Sequence, residues 1–132
     1  MEERSGIITM KGNPLTLVGE TPKLRASAPA LELLNNDLAP VDLSSFRGKV
    51  CAISSVPSLD TPVCDLQTQR FNDEAVKLGA DVKIITISMD LPFAQKRWCG
   101  AAGVDNVITL SDHRDAAFGM AYGVLIKELR LL

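Results

Sequence analysis

The amino-acid sequence predicts one α/β domain, residues 1–132, built in three layers with parallel strands at its centre. Three observations carry this expectation. The runs Val50–Val56 and Val82–Ser88 are short, β-branched and nearly uncharged, the pattern of strands covered on both faces. Each is followed by a loop that closes in a helix-start signal, Thr61-Pro62 after the first and Asp90 to Pro92 after the second. Residues 107–110 supply one more apolar run, so strand and helix alternate along the chain.

Taken in order, Ile7–Met10 and Leu15–Val18 flank the turn Lys11-Gly12-Asn13-Pro14 and predict an N-terminal β-hairpin appended to the domain. Residues 22–29 read as a connector. An apolar patch, Leu31-Glu32-Leu33-Leu34, is followed by the polar turn Asn35-Asn36-Asp37, and 40–49 lead into Val50–Val56, which is expected to be a central strand. The helix opened by Thr61 is expected to run to Gly79 with Val63, Leu66, Ala75 and Leu78 as its apolar stripe and Phe71 beside it. Val82–Ser88 is the next strand. Asp90 or a neighbour should cap a helix from Pro92 to Gly103, 107–110 should form a strand, and 112–122 a last helix.

The chain is 46% hydrophobic and 23% charged, with a formal net charge of −2, an ordinary globular composition with no basic field for nucleic acid or an anionic membrane. No stretch has transmembrane length and the N-terminus lacks signal-peptide character, so a cytoplasmic protein is expected. Three cysteines without a C-x-x-C pair argue for reactive thiols rather than a structural disulfide framework. His113 is the only histidine and lies in a polar stretch, 111–115, so it reads as a solvated helix-start residue. No phosphate-binding glycine loop is present, and neither a metal nor a cofactor is expected.

The residues that carry chemistry are Pro57, Thr61 and Cys64. Thr61 is a good N-cap and Pro62 suits the first helical position, which puts Cys64 in the first turn. Free N–H groups and the helix dipole favour a thiolate there. The Thr61 hydroxyl can turn toward the sulfur or toward an oxygen bound beside it, and Pro57 can wall the loop from water. Cys51, inside a predicted buried strand, reads instead as an inert core thiol. Trp98, Phe93 and Phe118 read as core, although Phe93 and Trp98 stand where an alkyl chain could meet the second helix. Full ionisation of an ordinary thiol raises the thiolate fraction at neutral pH only ~30-fold, on the order of 2 kcal/mol. Fast thiol chemistry on an O–O bond therefore needs alignment and charge stabilisation as well.

The spacing Pro57-x-x-x-Thr61-x-x-Cys64 resembles the peroxiredoxin active-site signature, and Asp60-Thr61-Pro62-Val63-Cys64 resembles the thiol peroxidase subfamily within it. The segment Ser88–Cys99, with 106–111, 121–124 and Gly12-Asn13-Pro14, resembles the same subfamily, so the likeness runs along almost the whole chain. It implies a thioredoxin-like fold and a thiol-dependent peroxidase of the atypical two-cysteine type. Cys64 would be oxidised by hydrogen peroxide or an alkyl hydroperoxide to a sulfenic acid. Cys99 would resolve it as an intramolecular disulfide, and thioredoxin or a similar dithiol would restore both thiols. A homodimer is implied as well.

The resemblance also implies an essential arginine on a strand just after the segment that 127–132 match, followed by further strands and a final helix. Arg130 precedes that position and is not given the role. On this ground the chain is expected to be a C-terminally incomplete form of the family fold. A second reading follows from it, a catalytically weak thioredoxin-like fragment with a structural or partner-binding role. A thioltransferase is less well matched, because the C-x-x-C pair is absent.

Overall fold

The computed structural model describes residues 1–132. In chain order its elements are β1 (Glu3–Met10), β2 (Asn13–Val18), β3 (Glu32–Leu34), β4 (Pro40–Asp42), a 3-10 turn (Leu43–Phe46) and β5 (Val50–Ser55). They continue with α1 (Pro62–Leu78), β6 (Val82–Ser88), α2 (Pro92–Ala102), β7 (Ile108–Ser111), α3 (Ala117–Ala121) and β8 (Leu125–Ile126). Five strands form the main sheet in the order β4-β3-β7-β6-β5, with β5, β6 and β7 parallel, β3 antiparallel to β7, and β4 antiparallel to β3. No helix is long and apolar enough to cross a membrane.

Residues alternate across a strand, so β6 serves two cores at once. Ile85 and Ile87 point to one side, into a core with Leu33, Leu110, Phe118, Leu125 and Leu132. Ile84 points to the other, where Val104 and Val107 meet Phe71 and Ala75 of α1 and Trp98, Cys99 and Ala102 of α2. Helices α1 and α2 thus share one face, and α3 with the smaller sheet covers the opposite one. This is the three-layer arrangement expected, with the hairpin where it was expected. Lys11 and Gly12, both at positive φ, make its two-residue turn, tighter than the four residues that the sequence suggests.

The hairpin is more than an appendage. Strand β2 also pairs with β8, giving a second sheet in the order β1-β2-β8. Arg4 clamps this layer down: its Nε donates to Gly19 O at 3.0 Å, Nη1 to Thr21 Oγ1 at 2.7 Å, and Nη2 to Gly123 O.

Three elements differ from expectation. Strand β5 is an edge strand, with Val50 66% and Ile53 38% exposed. Composition of a β-branched run does not distinguish a flanked strand from one with a free edge. Helix α1 turns a different stripe inward: Thr68 is fully buried and Phe71 and Ala75 pack on the core, while Val63, Leu66 and Leu78 are exposed. Last, only 117–121 of the expected helix over 112–122 is helical. Asp112 is buried instead, and its carboxylate accepts the N–H groups of Phe118 at 3.0 Å and Gly119 at 2.8 Å, so this acidic residue ends one segment and caps the next. Gly119 suits the close packing there, since a Cβ would lie 2.7 Å from Leu132 Cδ2 and 3.0 Å from Leu125 Cβ.

Burial pushes the Asp112 carboxyl above the ordinary carboxylate value, against the pull of the backbone N–H groups of Gly119, Phe118 and Ala117. The native state therefore binds the Asp112 proton more tightly than the unfolded chain does. Its contribution to stability is fully present below the ordinary carboxylate value and is lost as pH rises through the raised one. Urea denaturation from acid to neutral pH should show the parent protein losing stability relative to Asp112→Asn as pH increases. Asp112→Ala should destabilise by about 2 kcal/mol or more at neutral pH, because two buried N–H groups lose their acceptor. A separate expectation concerns the free edge of β5, whose backbone and apolar side chains invite pairing. Ile53→Lys should reduce concentration-dependent light scattering while changing folding stability by no more than about 0.5 kcal/mol.

Candidate active site

Parallel pairing of β5 and β6 brings the loop after β5 to the same sheet edge as the loop after β6. Strand β5 is extended by one more ladder bond, Val56 N–H to Ile87 O at 3.0 Å, and Val56 is buried. The chain then turns at Pro57 and Ser58. Leu59, 2% exposed, plugs the loop into the interior. Ser58 is the pivot of the turn: its carbonyl accepts the Thr61 N–H at 3.2 Å and the Thr61 hydroxyl at 2.9 Å, and its Oγ accepts the Asp60 N–H at 3.1 Å.

Thr61 is the N-cap residue of α1, as expected, with extended φ and ψ. Its side chain does not cap. The hydroxyl hydrogen goes to Ser58 O, so Oγ1 faces its surroundings with lone pairs only, and no side chain occupies the N–H groups at the start of α1. Pro62 fills the first helical position, and Cys64 follows in the first turn, half-buried and unbridged. Thr68 Oγ1 donates to Cys64 O at 2.8 Å, stiffening the turn from below. Pro57, half-buried, lies at the opposite end of the loop.

Asp90 or a neighbour was expected to cap α2; the N-cap residue is the neighbour Leu91, without a side-chain bond, and the Asp90 carboxylate turns to the loop after β5. Its Oδ1 accepts Ser58 Oγ–H at 2.7 Å, and its Oδ2 accepts the Leu59 N–H at 2.9 Å and Ser88 Oγ–H at 2.8 Å. Behind it, fully buried Gln95 donates from Nε2 to Ser88 Oγ at 3.0 Å and to Leu110 O at 2.8 Å, and Ser111 Oγ–H donates to Asp90 O at 2.5 Å. Ser58 and Gln95 were not singled out from sequence, and Asp90 only as a candidate helix cap. The available signal was the polar set Ser88, Asp90 and Gln95 around the end of an apolar strand, which reads equally well as a solvated helix start.

Cys99 lies about two turns into α2, roughly 10 Å down the axis from Pro92. It packs in the core under α1 and α2. Its Sγ is 3.6 Å from Thr109 Oγ1, and because that hydroxyl donates to Asn36 Oδ1 at 2.9 Å, the contact is a thiol S–H donating to oxygen. Gly103 and Val104 N–H groups close the helix on Cys99 O. Cys64 stands in the first turn of α1 and Cys99 about two turns into α2, and both are free thiols.

A groove of about 540 Å³ opens beside the loop, lined by Asp60, Phe93, Ala94, Arg97, Trp98 and Ala101. Phe93 is 66% exposed and Trp98 half-buried, so neither is the closed core residue expected, whereas Phe118 is. Phe118 packs edge-on against Tyr122 at 4.3 Å between ring centroids. Cys51 is half-buried beside Lys49 and Arg47 on the other side of the sheet. His113 is half-buried and precedes α3 in a loop rather than in a helix. Arg130 is exposed in the turn after β8, on the face opposite α1 and α2.

Residues 23–132 match the Redoxin family. The chain is 61% identical over 125 residues to the thiol peroxidase of Bacillus subtilis (strain 168), covering 95% of this chain and 74% of that protein. It is 57% identical over 125 residues to the thiol peroxidase of Listeria monocytogenes serovar 1/2a, with 95% and 75% covered. Among solved structures, a peroxiredoxin-like protein from Aquifex aeolicus superposes with a TM-score of 0.84 at 41% identity, over 92% of this chain and 72% of that one. The thiol peroxidase from Chromobacterium violaceum gives 0.77 at 26% identity, over 87% and 66%. The chain spans about three quarters of the length of the curated relatives it matches.

Proposed function

The chain belongs to the thiol peroxidases of the Redoxin family, peroxiredoxin enzymes that reduce peroxides, and from that premise we propose that Cys64 is the thiol oxidised by peroxide and Cys99 the thiol that resolves it. The observation that most supports this reading is Cys64 in the first turn of α1 beside a Thr61 hydroxyl already committed as a donor.

The Cys64 thiolate attacks the distal oxygen of a hydroperoxide in line with the O–O bond. The S–O bond forms, the O–O bond breaks, and the departing oxygen leaves as water or alcohol after taking a proton. Thr61 Oγ1, with lone pairs only to offer, accepts a hydrogen bond from the peroxide O–H and so orients the reacting oxygen. The uncapped N–H groups of the first turn stabilise negative charge beside it, a term worth several kcal/mol when preorganised. Pro57 limits water at the loop. The apolar groove formed by Phe93, Ala94, Trp98 and Ala101 takes the alkyl chain of an organic hydroperoxide.

Resolution requires motion. The Cys64 sulfenic acid condenses with the Cys99 thiol, forming the S–S bond and releasing water, after α1, α2 or both unwind locally, since each cysteine is held within a helix, Cys64 in its first turn and Cys99 about two turns in. Thioredoxin or a similar dithiol protein then returns both cysteines to thiols, which fits a cytoplasmic enzyme. Exposed Val63, Leu91 and Phe93 around the loop support a homodimer that covers this edge.

Cys64→Ser should abolish peroxide consumption in a coupled assay, and retained turnover removes the assignment. Thr61→Val should lower the second-order rate constant for peroxide on the order of 100-fold while Thr61→Ser keeps most of it. Cys99→Ser should consume one equivalent of peroxide at the parent rate and then stop, with a sulfenic acid at Cys64 by mass spectrometry. Continued thioredoxin-dependent cycling in that variant would show that Cys99 is not the resolving thiol.

A further inference from the structure

The turn that leads into the helix bearing Cys64 is tied to the start of α2 through one side chain. Three bonds within the turn converge on Ser58: Thr61 N–H and Oγ–H on its carbonyl, Asp60 N–H on its Oγ. Ser58 Oγ–H and the adjacent Leu59 N–H are in turn both taken by Asp90. Asp90 is itself fixed by Ser88 Oγ–H on its carboxylate and by Ser111 Oγ–H on its carbonyl, and it lies two residues before α2 begins. The start of the helix bearing Cys64 and the start of the helix bearing Cys99 are therefore joined through one carboxylate.

We propose that Asp90 is a positioning residue for the peroxidase reaction, a latch that holds the Cys64 turn closed for attack on peroxide and whose release from Ser58 and Leu59 permits disulfide formation. The proposal rests on the reading of Cys64 and Cys99 given above. In the closed turn Thr61 and the first-turn N–H groups surround the sulfur, and the peroxide step is fast. In the open turn Cys64 leaves that environment and moves toward Cys99. A weaker latch should shift the balance, slowing the first step and favouring the second. Sulfinic acid forms when a second hydroperoxide oxidises the waiting sulfenic acid, giving one more S–O bond and an alcohol or water. Earlier opening removes sulfenic acid into the disulfide and should protect against it.

The variants that test this are Ser58→Ala, which deletes one of the three carboxylate bonds, and Asp90→Asn, which replaces one acceptor oxygen by a donor facing N–H and O–H groups. In single-turnover stopped flow with hydrogen peroxide, followed by Trp98 fluorescence, the peroxide-dependent rate constant should fall roughly tenfold in each. The peroxide-independent step should be as fast as in the parent or faster, and mass spectrometry at high peroxide should find less sulfinic acid at Cys64. Amide hydrogen exchange at 58–64 and at 91–95 should rise together in both variants. Parent values for both steps and for exchange would overturn the proposal. So would both steps slowing together with a general loss of amide protection, the mark of a merely structural role. If the parent forms no Cys64–Cys99 disulfide by peptide mapping, the assignment of Cys99 fails by itself. Exchange then decides the latch: a coupled rise at the two segments supports it, and a rise at one alone overturns it.

Discussion

Parallel pairing of β5, β6 and β7 is the constraint on which the rest depends. In a parallel sheet every helix that follows a strand starts at the same edge, and its unpaired N–H groups face that edge. The positive ends of α1 and α2 are thus gathered with the loops that precede them, before any catalytic side chain is specified. Cys64 needs only to fall in the first turn of α1 to enter this environment. The same geometry sets the difficulty of the second thiol, because a residue well down α2 recedes from the edge about 1.5 Å per position.

Burial divides the site into parts that stay and parts that move. Val56, Leu59, Pro92 and Gln95 are all buried and fix the floor beneath the loop. Above that floor, Asp60 and Thr61 take their polar contacts from Ser58. On the α2 side the first turn is anchored through Gln95, while Cys99 makes one weak S–H contact to Thr109 and packs against the buried cluster of Ile84, Val104 and Val107. Cys64 stands at the start of its helix and Cys99 within the packed layer, so the proposed reaction draws on local opening.

Much of this was legible in the sequence because the signals are local. Thr61-Pro62 marks a helix start through backbone sterics and missing donors, and Gly79 and Gly103 mark helix ends through their positive φ. The cysteine positions on those helices follow directly. What was not legible depends on partners far along the chain. Whether β5 is flanked cannot be read from Val50 and Ile53 themselves, and the stripe of α1 that turns inward is chosen by Ile84, Val104 and Val107 across the core rather than by the spacing within α1. Asp90 and Asp112 each looked like parts of a helix start. Their acceptors are claimed by groups brought near only when β5, β6 and β7 align.

A polar latch suits a loop that must close and open in each cycle. An intramolecular hydrogen bond adds only about 0.5–1.5 kcal/mol net, because on opening each partner exchanges it for water. Two such bonds, from Ser58 and Leu59, make about 1–3 kcal/mol, enough to keep the closed turn dominant and small enough for a minor open population. A latch of buried apolar side chains of the same reach would lose about 1.5–3 kcal/mol for every residue exposed, with no compensating solvation. Leu59 is the one residue of the turn whose side chain is buried in that way, and it gives the turn a point about which to pivot. In the proposed latch, apolar burial sets the hinge and hydrogen bonds to Asp90 set the strength of closure.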